Sequence, residues 1–196
     1  MDTSPPPRGA VNQGSKGLAS QREASEEIVP PHLETYKKVA DHVYVSDLNQ
    51  EAEREENIRM AVFLAEKTKD DVFVLPHIQP NSHGADKLRK EYFPEGVKEN
   101  KNPDLFFRKR FVDEKCMHPE DISDPKKTKR NIQYKLRDAF EQADDAYVEI
   151  PTSIPKDWVE SAIKGKLKSS TNFHYVYVRY GDELLTFEGK NKPVSQ

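Results

Sequence analysis

Two aspartates and a lysine stand out in the segment NPDLFFRKRFVDEKCM, which covers residues 102–117. Asp104 and Asp113 each lie beside a short apolar run, and Lys115 follows Asp113 by two positions. Burying a charged side chain is costly unless the charge is paired or binds a metal ion. Two carboxylates offer hard oxygen ligands for Mg²⁺ or Mn²⁺, and a nearby ammonium can hold an attacking water or a phosphate. These residue types point to metal-dependent hydrolysis of phosphodiester bonds.

Strand periodicity shows how these side chains can meet. Residues two apart on a strand share a face, so Asp113 and Lys115 point to one side while Glu114 points to the other. The flanking apolar runs predict two strands joined by a turn near residues 109–110. Asp104 is then expected across from residue 115 or 116, in one patch with Asp113 and Lys115.

The elements that must position this patch follow from hydrophobic periodicity. It predicts helices at about 49–67, 129–146 and 155–167, and a short helix near 85–93. It predicts strands at about 42–48, 71–76, 104–109, 111–117 and 146–151, then a hairpin of FHYVYVRY and ELLTFE around Gly181 and Asp182. This order predicts an α/β fold with a mixed central sheet of four or five strands, flanking helices and a C-terminal helix and hairpin.

Composition divides the chain into a polar tail and one domain. Residues 1–27 are rich in Pro, Gly, Ser and Gln, which predicts disorder, and residues 28–190 form the predicted single domain. The formal net charge of -3 argues against a general attraction to nucleic acid. The single cysteine excludes an intramolecular disulfide, and no apolar run is long enough to span a membrane.

A local basic stretch offers the nucleic-acid contact that the net charge does not. Lys126, Lys129, Arg130 and Arg137 all precede Asp138, the first acid of this stretch. On a helix beside the site, such fixed cations would neutralise backbone phosphates. A solvated helix face explains the same pattern without a ligand.

The string PD, eight residues and then DEK resembles the signature of the PD-(D/E)xK, restriction-endonuclease-like nucleases. The order helix, three strands, helix, strand is similar to the αβββαβ core of that family. More narrowly, residues 49–151 resemble the C-terminal tRNase domains of CdiA-type contact-dependent growth-inhibition toxins. That likeness is carried by ENIRMAVFLAEK, VFVLP, NPDLFFRKRFVDEK and RNIQYKLRDAFEQADDAYVEIP.

The resemblance implies roles for individual residues. Asp104 and Asp113 would bind Mg²⁺ or Mn²⁺, with Glu56 on the first helix as a third carboxylate. Lys115 would be the catalytic lysine, and Gln142 the helix glutamine that such domains carry before the last core strand. The implied activity is that of an endonuclease acting on RNA, with tRNA favoured over DNA. The implied partner is a cognate immunity protein, and the implied site of action is the cytoplasm, after delivery as part of a larger toxin.

The residues alone leave two other functions open. One is a non-catalytic, nuclease-like module of a phage or mobile element that holds nucleic acid on the basic helix. The other is a metal-independent toxin RNase with a loop histidine, His118 being nearest to the motif, as general base. Ordinary structural uses also fit the three motif residues. Asp104 after Pro103 can cap a turn, and the Asp113–Lys115 pair can be a surface ion pair.

Overall fold

The computed structural model describes residues 30, 32–49, 51–79, 82–93, 97, 101–169 and 174–190. The tail predicted to be disordered, residues 1–27, lies outside them. The α-helices are α1 (Glu51–Thr68), α2 (Ala85–Tyr92), α3 (Pro125–Phe140) and α4 (Lys156–Ser169). The strands are β1 (Tyr36–Ala40), β2 (Val43–Ser46), β3 (Val72–Val74), β4 (Leu105–Phe107), β5 (Arg110–Cys116), β6 (Asp145–Ile150), β7 (Tyr175–Tyr180) and β8 (Glu183–Glu188).

In the described part of the chain, eight strands form one mixed sheet in which the spatial order follows the chain order from β1 to β8. The predicted α/β class is confirmed, but the predicted number of four or five strands is wrong. The C-terminal hairpin belongs to the sheet, because β7 pairs in parallel with β6. Strand β1 was not predicted, because its sequence YKKVA lacks the alternation of apolar and polar residues. It pairs antiparallel with β2.

The helices cover both faces of the sheet. Helix α1 packs on one face, here called the α1 face, where its Leu64 joins Val74, Val112 and Tyr147 in one buried cluster. Helices α3 and α4 pack on the opposite face, the α3 face, against the alternate residues of β6 and β7. Helix α2 lies on this second side too, beside Phe106 of β4. None of the helices in the described part of the chain is long and apolar enough to cross a membrane.

One edge of the sheet gathers the polar residues of the motif. Strands β2, β3, β5, β6 and β7 run in the same direction, so their carboxyl ends meet at one edge, here called the carboxyl edge. The antiparallel strand β4 begins at that edge, which places Asp104 there. In open α/β sheets the crevice outside the carboxyl ends of the strands is the usual place for a ligand.

The hairpin of β4 and β5 turns earlier than predicted. Its two turn residues are Arg108 and Lys109, with φ of 50° and 63°. Two-residue hairpin turns often need positive φ, which Asn and Gly normally signal, and neither residue occurs here. Because the turn comes earlier, the register shifts as well, and Asp104 lies across from Asp113 rather than from residue 115 or 116.

The predicted hairpin around Gly181 and Asp182 is present. Replacing its glycine tests how much the local backbone conformation contributes to stability. Gly181 has φ of +60°, and an added Cβ would lie 2.9 Å from Cγ2 of Thr152. We expect Gly181→Ala to lower the free energy of unfolding by about 1–2 kcal/mol, measured by urea denaturation. Gly84→Ala is the matched control, because Gly84 has φ of +78° but no atom near its added Cβ. Equal losses in the two variants would show that the contact with Thr152 costs nothing.

Candidate active site

Asp104 is held against the backbone of the neighbouring strand. Its N–H donates to the carbonyl oxygen of Val112 at 3.1 Å, which extends the β4–β5 ladder by one residue. Its carboxylate oxygen Oδ2 accepts a hydrogen bond from the N–H of Glu114 at 2.8 Å. The side chain is therefore fixed at the carboxyl edge, next to the strand that carries Asp113 and Lys115.

Asp113 and Lys115 share the α3 face of β5, as the spacing of two residues predicted. Lys115 Nζ donates to Asp113 Oδ2 and, at 2.8 Å, to the carbonyl oxygen of Glu114. The Asp113 side chain is fully buried, whereas that of Lys115 is 23% exposed. The ammonium therefore connects a buried carboxylate to solvent, which an ordinary surface ion pair does not do.

The environment of Asp113 opposes its negative charge. Burial raises the pKa of its carboxyl well above the usual range, and the charge of Asp104 raises it further. The ion pair with Lys115 works in the opposite direction without cancelling these effects. Oxygen Oδ1 of Asp113 is also buried without a hydrogen-bond partner among the described residues. An additional cation would relieve both the repulsion and the unpaired oxygen.

The oxygen atoms at this place suit a hard divalent cation. Within the described residues, no three His, Cys, Asp or Glu side chains are arranged to hold a metal ion. Mg²⁺ commonly uses only one or two carboxylates and completes its shell with waters and substrate phosphates. The carboxylates of Asp104 and Asp113, with the carbonyl of Glu114, meet that requirement.

Glu56, the predicted third carboxylate, lies on the other side of the sheet. Helix α1 covers the α1 face, to which Glu114 points, whereas Asp113 and Lys115 point to the α3 face. Burial, followed by the charges of Asp104, Glu56, Asp113 and Glu149, raises the pKa of Glu114 to about 9. Glu56 is thus near Glu114, and the structure brings together only Asp104, Asp113 and Lys115.

Gln142 is not brought to these three residues. Helix α3 starts near the carboxyl edge and returns the chain to the opposite edge, where β6 begins. Gln142 lies in the turn after α3, and its N–H donates to the carbonyl oxygen of Ala139 at 2.9 Å. Its position before the last core strand agrees with the sequence, but that position is at the wrong edge for contact with Lys115.

A cluster of one acid and two arginines was missed by the sequence reasoning. Glu149 of β6 accepts from Arg59 of α1 and from Arg179 of β7, each at 2.9 Å. The partners are 90 and 30 residues away in the chain, so no local pattern signals them. The cluster borders a cleft of about 460 Å³ at the carboxyl edge, lined also by Cys116 and Gly181.

The basic residues predicted to bind nucleic acid divide into two groups. Lys129 Nζ donates to Ser161 Oγ of α4 at 3.4 Å, and Arg137 pairs with Asp138 at 2.8 Å. Lys126 and Arg130 are exposed and form no ion pair with any described residue. Helix α3 therefore presents uncompensated positive charge to solvent.

Comparisons with family models, with curated proteins and with solved structures find no match to this chain.

Proposed function

We propose that this protein is a metal-dependent endonuclease of toxin type that hydrolyses RNA, with tRNA favoured over DNA. One observation carries the proposal. Lys115 Nζ lies between the Asp113 carboxylate and the Glu114 carbonyl, with Asp104 directly across the hairpin. Two carboxylates, one carbonyl and one partly exposed ammonium are the groups that phosphodiester hydrolysis requires.

The pairing of the central strands supports the likeness to PD-(D/E)xK nucleases. Helix α1 precedes three antiparallel neighbours, β3, β4 and β5, and α3 then leads to β6, which is parallel to β5. This is the order of an αβββαβ core. Strands β1 and β2, helix α2 and the C-terminal helix and hairpin are additions to it.

Each of the three gathered residues has a distinct role in the proposed reaction. Asp104 and Asp113 would hold Mg²⁺ or Mn²⁺ together with the carbonyl oxygen of Glu114. When bound, the ion stabilises charge on the phosphate and lowers the pKa of a bound water. Lys115 positions the attacking water or the scissile phosphate from the solvent side. Gln142 has no contact with substrate in this scheme, and Glu56 acts only through its charge near Glu114.

The toxin assignment implies a partner as well as a substrate. A nuclease of this kind needs an immunity protein, and the surface to be covered is the carboxyl edge around Lys115. The exposed cations of α3 are part of the surroundings that RNA would meet first, and an acidic immunity protein would compete for them.

A second candidate function is favoured by those same cations. Lys126 and Arg130 are free to bind phosphates whether or not Asp104 and Asp113 hold a metal ion. A non-catalytic module of a phage or mobile element would need only this helix face.

A cleavage assay separates these functions. Wild type is incubated with total tRNA and with plasmid DNA, in Mg²⁺ and in EDTA, beside Lys115→Ala and the control Lys90→Ala. Lys90 is an exposed lysine on α2. We expect cleavage of tRNA that requires Mg²⁺, is lost in Lys115→Ala and persists in Lys90→Ala.

Three other results would contradict the proposal in different ways. Intact substrates that still shift on a gel would support the binding module. Cleavage that persists in EDTA would support a metal-independent RNase, and His118→Ala would then be the variant that loses activity. Cleavage of DNA alone would support the proposed nuclease activity but contradict tRNA as the substrate.

A further inference from the structure

An exposed aromatic side chain lies among the cations of α3. Tyr134 is 47% exposed, and it is the only aromatic residue among the large exposed hydrophobic side chains in the described part of the chain. The guanidinium of Arg137 lies 5.0 Å from the centroid of its ring. Arg137 is itself fixed by two hydrogen bonds to Asp138. The tyrosine ring is thus supported on one side and accessible to a ligand.

Tyr134 has no role in the core that would explain it. The buried residues of α3 are on the opposite side of the helix, and they are Thr128, Ile132, Leu136, Ala139 and Phe140. An exposed ring of this size loses its contact with water only when a partner covers it. A partner that covers the ring would give an aromatic residue at this position a use.

The ring is aligned with positive charges. Lys126, Arg130, Tyr134 and Arg137 follow one another by four, four and three residues, which places them in one stripe along the helix. This set is called the α3 stripe. From Lys126 to Arg137 it extends about 16 Å, since a helix rises about 1.5 Å per residue. No acidic residue lies between Lys126 and Arg137 in the sequence, and the first acid after them, Asp138, pairs with Arg137.

The direction of α3 connects the stripe to the candidate active site. Helix α3 begins near the carboxyl edge, because it follows β5 and leads back to the start of β6. Lys126 is therefore at the end nearer to Lys115, and Tyr134 lies about two helical turns farther away. A nucleic-acid strand that crosses the carboxyl edge of the sheet can continue along the α3 stripe.

We infer that the α3 stripe binds an unpaired segment of nucleic acid, with Lys126 and Arg130 on successive phosphates and Tyr134 stacked on a base. The inference rests on the proposed function and specifies the form of its substrate. A base can stack on a protein ring only when its face is not covered by neighbouring bases, as in a loop or a single strand. A duplex would meet the cations but not the ring.

Binding measured in EDTA tests the stripe without catalysis. The probes are a fluorescent single-stranded RNA and its fully paired duplex, followed by anisotropy. Tyr134→Phe should bind single strands like wild type, because stacking does not need the hydroxyl. Tyr134→Leu, which keeps an apolar side chain, should bind them about 5- to 150-fold more weakly, the usual cost of losing one stacked base. Duplex affinity should not change in either variant.

Charge and position provide the controls. Arg130→Ala should weaken binding to both probes. It should also reduce the slope of log affinity against log salt concentration by about 1, the contribution of one phosphate contact. Leu33→Ala, at a similarly exposed apolar residue outside α3, should leave binding unchanged.

The inference is overturned if Tyr134→Leu binds single strands like wild type, if it loses duplex binding to the same extent, or if wild type binds neither probe. These results are distinct from failure of the nuclease proposal. If the protein binds single strands through Tyr134 but never cleaves them, the binding role of the α3 stripe is supported and the proposed active site is contradicted. If Tyr134→Leu cleaves RNA in Mg²⁺ with full activity, the proposed active site is supported and the binding role of the α3 stripe is contradicted.

Discussion

Replacing Asp104 with asparagine is expected to slow Mg²⁺-dependent cleavage by about 100-fold or more while leaving the protein at least as stable as wild type. The loss of rate follows from the loss of one of two carboxylates that would hold the metal ion. A metal ion supplies several kcal/mol of stabilisation to the transition state, and each 1.36 kcal/mol corresponds to a factor of ten in rate.

The stability half of this prediction comes from the charges around β5. Burial and, after it, the charge of Asp104 raise the pKa of the Asp113 carboxyl, so the ionised form of Asp113 experiences repulsion from Asp104 in the folded protein. Asparagine removes that repulsion, and its amide oxygen can still accept the N–H of Glu114. A residue that lowers stability but is needed for activity has the signature of a functional site.

Two measurements on the same preparations check the prediction: the cleavage rate with tRNA and the midpoint of thermal unfolding. Asp157→Asn is the control, because Asp157 is an exposed aspartate in the first turn of α4. It should leave the cleavage rate unchanged and lower the unfolding midpoint only slightly, because an acid in the first turn of a helix contributes about 0.3–1 kcal/mol. Full activity in Asp104→Asn would remove Asp104 from the site. A large fall in stability would make it a structural cap of the β4–β5 ladder.

The second large effect concerns stability alone. Arg110→Met is expected to destabilise the protein by about 3–5 kcal/mol, because it leaves a buried carboxylate without its counter-charge. Asp145 is fully buried, and Arg110 binds both of its oxygens, through Nε at 2.6 Å and Nη2 at 3.0 Å. The remaining partners of Asp145 are the N–H of Tyr175 at 3.2 Å and, at 4.0 Å, Nδ1 of His174.

A double variant distinguishes the loss of the pair from the loss of packing. Arg110→Met combined with Asp145→Leu removes both charges, and it should recover most of the stability that Arg110→Met loses. Urea denaturation of the wild type, the two single variants and the double variant gives the coupling between the two positions. If the losses of stability in the two single variants add up to the loss in the double variant, the ion pair contributes no coupling energy.

Acidity should reduce the effect of Arg110→Met. Burial raises the pKa of Asp145, and Arg110 opposes that rise, so its removal raises the pKa further. A carboxyl whose pKa is higher in the folded than in the unfolded protein binds more protons when folded. Stability is then lost as the pH rises from the unfolded pKa through the folded pKa. The difference between wild type and Arg110→Met should therefore be smaller at pH 5 than at pH 7, and an unchanged difference would exclude Asp145 as its cause.

The sequence predicted those helices and strands whose own residues carry a clear apolar periodicity. Helix α1, helix α3 and strands β3 to β6 were all recognisable, because each carries its own apolar pattern. What it could not show was the extent of the sheet. The three-dimensional neighbours of a strand decide whether a hairpin joins a sheet or lies beside it, and the parallel pairing of β7 with β6 leaves no trace in either sequence.

The same distinction applies to the candidate site. The shared face of Asp113 and Lys115 follows from a spacing of two, whereas the exact partner of Asp104 depended on a turn made by Arg108 and Lys109. The places of Glu56 and Gln142 depended on which face and which edge their helices reach. Such positions are set by packing of the whole chain, so the resemblance of a motif cannot place them.

Within the described residues, the open sheet of eight strands also has two outer strands with unpaired backbone groups, and such strands invite pairing between molecules. Strand β1 carries the exposed Lys37 and Lys38, and its pairing with β2 is irregular between Lys38 and Ala40. Strand β8 begins and ends with the exposed Glu183 and Glu188. Charged borders and a local irregularity discourage addition of a further strand, so the sheet can remain open without seeding aggregates.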